Sequence, residues 1–60
     1  MALDIPDLVT EVVDEALEWL IENPGEDALP FHIVENMNVV GLDPHRTTLR
    51  LLMERDRQNS

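Results

Sequence analysis

Residues 5–23, IPDLVTEVVDEALEWLIEN, repeat an apolar residue every three or four positions with acids set between them. Wound at about 100° per residue, this stretch gathers Ile5, Leu8, Val9, Val12, Val13, Ala16, Leu17, Trp19 and Leu20 on one half of a helix. Asp7, Glu11, Asp14, Glu15, Glu18 and Glu22 fall within an opposite arc of about 100°. The segment therefore predicts a long amphipathic helix that has to bury one side. What can cover that side is limited, because the chain has 60 residues and no cysteine. Disulfides and thiolate metal sites are excluded, and stability must come from apolar burial and helix packing near the lower size limit for a single core. The apolar arc is wider than one neighbouring helix needs. A deeply embedded helix or a homodimer seam at Leu8, Val13, Leu17 and Trp19 is expected.

Punctuation divides the rest of the chain. Asp4 or Ile5 followed by Pro6 suits a helix start, and Asn23-Pro24-Gly25 stops that helix, giving bounds of about 5–23. A second helix, about 28–38, is expected from Asp27 as N-cap with Pro30 inside the first turn. Leu29, Phe31, Val34 and Met37 would form its apolar stripe, with Glu35 and Asn36 outward; a short strand over FHIVENMNVV is the alternative. Gly41 allows a turn closed to other residues, and Asp43 with Pro44 forms an N-cap and N1 pair for a third helix, about 44–57. On it Thr48, Leu49, Leu52 and Met53 share the expected core face, with Leu51 at its edge. Arg46, Arg50 and Arg57 line up within about 40° on another face, and Arg55 points elsewhere. The expectation is one all-α, three-helix domain over residues 1–60.

Charge is unevenly placed along these elements. There are 13 acids against four arginines and no lysine, a net charge of −9. Residues 1–43 carry eleven of the acids and no Arg or Lys, whereas residues 44–60 set four arginines against Glu54 and Asp56. Net negative charge argues against phosphate-rich partners, since nucleic-acid affinity depends on basic groups displacing counterions. A lysine-free acidic composition also resembles that of proteins from salt-accumulating organisms, or of a phage-encoded nucleic-acid mimic. The N-terminal stretch has no basic n-region and no uninterrupted apolar run, so it reads as neither signal peptide nor membrane span. A cytoplasmic protein is the expectation.

Little in the sequence points to catalysis. His32 and His45 lie thirteen positions apart on different elements, with no HExxH or paired-His spacing, so neither a metal nor a cofactor is expected. The carboxylates of the first helix are spaced as a solvated face rather than as a cleft dyad, and a bundle this small has little room for a cleft. The expectation is a protein that is not an enzyme.

A long helix ending in ENPG, a short second helix, the turn Gly41-Leu42-Asp43, and then a helix carrying Thr48, Leu49, Arg50, Leu51 and Leu52 make a recognisable order of parts. It resembles the helix-turn-helix core of small winged-helix transcriptional regulators over about residues 9–57, with the wing missing. The resemblance implies a regulator contacting DNA or the transcription machinery through the third helix as a homodimer. Arg46, Thr47 and Arg50 would reach base edges or phosphates, with His45 beside them and Arg57 on the backbone, because the N-terminal part of a recognition helix lies deepest in the major groove. The rival reading is an acidic protein-binding inhibitor or adaptor that presents Glu11, Asp14, Glu15, Glu18 and Glu22 of the first helix to a basic partner.

Overall fold

The computed structural model describes residues 5–59, which form three helices and their connections, α1 (Ile5–Glu22), α2 (Phe31–Val39) and α3 (Pro44–Asn59). The protein is an all-α, three-helix domain, elongated to 38 × 19 × 17 Å. The segment weighed as a strand is helical. Asp4, offered above as a cap, lies outside the described residues.

α1 ends where the sequence breaks it. Asn23 closes the last turn twice over, its backbone N–H and its side-chain Nδ2 both donating to the Trp19 carbonyl at 3.0 and 2.8 Å. Pro24 and Gly25 then turn the chain, with the Glu26 N–H donating to the Asn23 carbonyl at 3.0 Å. α2 starts later than expected. Its N-cap is Pro30, extended at φ −66° and ψ 157° and without a side-chain cap bond, so Asp27 does not cap it. Part of the reason is local: proline disfavours helical backbone in the residue before it, which works against a helix running from Asp27 through Leu29, and Pro30 itself is extended. The Pro30 carbonyl accepts from the Ile33 and Val34 N–H groups at 3.1 Å each.

The end of α2 is a Schellman motif. The Leu42 N–H donates to the Met37 carbonyl at 2.8 Å and the Gly41 N–H to the Asn38 carbonyl at 3.2 Å, with Gly41 at φ 83°. Leu42 folds back onto the core that holds Met37, the apolar contact that usually accompanies this motif. A Cβ on Gly41 would meet nothing within 4 Å, so the cost of adding one is backbone strain alone. Gly41→Ala is expected to lower stability by about 1 kcal/mol in urea melts, whereas Gly25→Ala should be close to neutral. The next residues start α3 as the sequence indicates. Asp43 Oδ1 accepts from the His45 and Arg46 N–H groups at 3.0 and 3.4 Å, and its carbonyl accepts from the Thr47 N–H at 2.9 Å. Asp43 is thus the N-cap and Pro44 the first helical residue.

The core is small: Ala16, Leu20, Ile33, Met37 and Leu51, with Val12, Val13, Leu17, Trp19, Leu29, Leu42 and Leu52 packed around it. α2 runs antiparallel to α1, since His32 and Ile33 lie near Trp19 while Val39 and Val40 lie near Leu8 and Val12. α3 runs in the same sense as α1, with Thr47 and Leu51 near Val13 and Arg55 near Leu20 and Asn23. Both neighbours lie against α1, and that accounts for the width of its apolar arc.

Two helices are rotated relative to their expected settings. On α2 the inward residues are Ile33 and Met37, and Phe31 is 78% exposed. On α3 Leu51 is buried, while Leu49 and Met53, expected in the core, are 50% and 69% exposed. Arg55 occupies the inward face of α3 beside Leu51, so the buried side of this helix is not centred on its apolar residues alone. α2 carries apolar residues on both sides, so its period does not select one.

Candidate functional site

The inward face of α3 is set by Leu51, Leu52, Thr48 and Arg55. Thr48 Oγ1 donates to the Pro44 carbonyl at 2.6 Å, which satisfies its hydroxyl within its own helix. Arg55 has a separate task. Its Nη1 donates to the carbonyls of Leu20 at 3.2 Å, Asn23 at 3.3 Å and Glu26 at 2.7 Å. α1 has no basic residue in its own last turn, so Arg55 brings both donor and positive charge to carbonyls at the negative end of the helix dipole. One of the four arginines is therefore structural.

With those residues turned inward, rotation at about 100° per residue leaves Arg46, Leu49, Arg50, Met53 and Arg57 within an outward arc of about 100°. All five are exposed. From Arg46 to Arg57 the stripe runs about 17 Å, some three turns. Arg57 pairs with Glu54 at 3.6 Å in a solvated i,i+3 contact of the kind that adds little stability. No ion pair of Arg46 or Arg50 occurs among the described residues. Arg50 with Thr47 and Glu54 also edges an open groove of about 310 Å³ whose other lining is Val13, Leu42 and Leu51. The arginines thus stand between two apolar features, the Leu49 and Met53 pair on one side and this groove on the other. His45 lies at the start of α3, exposed, and Thr47 is half-buried.

The acidic residues of the rival reading take the opposite character. Glu11, Asp14, Glu15, Glu18 and Glu22 are all exposed on α1, and Glu15, Glu18 and Glu22 with Trp19, His32 and Ile33 line an open groove of about 170 Å³ between α1 and α2. His32 Nε2 stands 3.9 Å from Glu15 Oε1. Among the described residues, no group of three or more His, Asp or Glu is arranged to hold a metal ion. Nor is any helix of those residues long and apolar enough to cross a membrane.

The seam residues fare unevenly. Val13, Leu17 and Trp19 pack against the chain's own core, whereas Leu8 lines an open groove with Glu11, Val12, Glu15, Asn36, Val39 and Val40. The exposure of Leu49 and Met53 is the feature that sequence periodicity missed, and the lack of a basic residue late in α1 was the one signal that an arginine from elsewhere was needed there. No protein family, curated protein or solved structure matches the chain.

Proposed function

We propose that the chain is a small non-enzymatic regulator of the helix-turn-helix type whose working surface is the outer face of α3, and that this face meets a protein rather than duplex DNA. The observation that carries the reading is the pair Leu49 and Met53, 50% and 69% exposed one turn apart beside Arg46 and Arg50, which make no ion pair among the described residues. Large apolar side chains placed outward on a helix add nothing to the core, and with Arg they make the composition typical of protein contact surfaces. Methionine suits such a face because its flexible thioether adapts to a partner's shape.

Electrostatics favours the protein partner. Sequence-independent DNA affinity grows with the number of phosphates that basic groups neutralise, and each one steepens its salt dependence. The outer face of α3 offers three guanidinium groups, one of them shared with Glu54, in a chain of net charge −9. The reading does not depend on a second copy: Val13, Leu17 and Trp19 of the seam that motivated a homodimer pack on the chain's own core, and Leu8 lines an open groove.

Anisotropy of a labelled DNA duplex, titrated at several salt concentrations, tests the choice of partner. Binding should be weak and vanish by about 0.15 M salt, where the Debye length has fallen to about 8 Å. Saturable binding at that salt, lost in Arg46→Ala or Arg50→Ala, would move the assignment to DNA read by Arg46, Thr47 and Arg50. The acidic inhibitor remains the second reading, favoured by the row of exposed carboxylates on α1. Under it, charge reversal at Glu18 and Glu22 abolishes capture of a purified basic partner while α3 substitutions leave capture intact.

A further inference from the structure

We infer that the occupant of the α3 face is an acidic amphipathic helix about three turns long, with carboxylates in one row and apolar side chains flanking them. The inference rests on the reading of α3 as the working surface and adds the chemistry of its partner. Length comes first: the stripe from Arg46 to Arg57 covers about 17 Å, the rise of three helical turns. Register follows from spacing. Arg46, Arg50 and Arg57 stand at i, i+4 and i+11, so a helix laid antiparallel on α3 meets them with carboxylates at j, j+7 and j+11, all on one face of that helix by the same periodicity. The antiparallel sense also sets opposite ends of the two helix dipoles together.

Apolar anchors have places on both sides of that row. Leu49 and Met53 lie along one flank, and the groove lined by Val13, Leu42 and Leu51 opens beyond Arg50 on the other. A partner side chain of leucine size entering that groove would bury surface that the chain itself leaves uncovered. Charge then fixes where the helix goes. Residues 1–43 carry eleven acids and no Arg or Lys, so an acidic segment is repelled from α1 and α2 and attracted only where guanidinium groups stand together. Of the acids on α3, Glu54 is engaged with Arg57 and Asp56 lies at the edge of the stripe. A basic partner would be excluded from this face by the same argument.

The test uses the isotope-labelled 60-residue chain and a synthetic helical peptide of about fourteen residues carrying Glu at j, j+7 and j+11 with flanking leucines. Controls are the same peptide with Gln for Glu, and a DNA duplex. Binding followed by backbone NMR should be saturable, with shift changes concentrated between Arg46 and Arg57. The Gln peptide and the Arg46→Glu/Arg50→Glu variant should each bind about tenfold more weakly. Leu49→Ser/Met53→Ser should also weaken binding; both double variants change exposed side chains, and their circular dichroism melts confirm the fold. If the acidic peptide leaves the α3 resonances unmoved while DNA moves them, the acidic-helix partner is overturned and α3 survives as the working surface. If neither ligand touches α3, both conclusions fall. Equal binding by the Gln peptide would remove the carboxylate row from the recognition.

Discussion

Leu20→Ala is expected to leave most molecules unfolded at 25 °C. Leu20 is 0% exposed and packs with Ala16, Ile33, Met37 and Leu51, the buried core among the described residues. Truncating a buried leucine costs about 3–5 kcal/mol, from lost transfer energy and from the cavity left behind. A chain of this length holds roughly 3–9 kcal/mol in total, and one without disulfides or metal belongs at the lower end of that range. A single deletion therefore consumes most of what keeps it folded. Loss of helical circular dichroism at 222 nm in the absence of urea is the measurement. Leu20→Met, which keeps the volume, should cost less than about 1.5 kcal/mol and remain folded. An alanine variant that melts cooperatively with near-parental stability would mean that the core lies elsewhere.

Arg55→Ala should be the next most damaging change, and unlike the first it involves a charged residue. Its guanidinium ties the C-terminal half of α3 to the end of α1 and to the turn beyond through Leu20, Asn23 and Glu26. Hydrogen bonds from a charged donor contribute about 1.5–3 kcal/mol, and their loss leaves carbonyls to be satisfied by water at a half-buried seam. The expected loss is about 2 kcal/mol, or roughly 10 °C in the melting temperature for a domain of this size. Arg55→Lys should recover part of it, because an ammonium group keeps the charge and three donors, though without the guanidinium's full reach. Arg46→Ala provides the contrast: exposed and without an ion pair, it should shift stability by less than about 0.5 kcal/mol. Similar melting temperatures for the two alanine variants would show that Arg55 is not the clasp between α1 and α3.

The contrast between Arg55 and Arg46 also shows how much could be read in advance. Placing Arg55 apart from the row formed by Arg46, Arg50 and Arg57 needed only the helical period, and the structure keeps that separation. Its contacts with carbonyls 29 to 35 residues away could not be read, because no local rule relates those positions. Asp43 as N-cap and Gly41 in a left-handed turn were legible for the opposite reason, since their partners lie within a few residues along the chain. Asp27 failed as a cap in part through another local rule, the restriction that Pro30 places on Leu29.

Three helices, their breaks and the solvated acidic side of α1 follow from the order of residues alone, because backbone hydrogen bonding, capping and amphipathic periodicity act over one to four positions. Which way α2 and α3 turn their apolar residues was decided only in the assembled fold. Leu49, Leu51, Leu52 and Met53 are all apolar and spread around much of α3, and burying Leu51 beside Arg55 means leaving Leu49 and Met53 outside. That choice depends on where α1 ends and which of its carbonyls need a donor, a property of two helices side by side that neither sequence segment carries by itself.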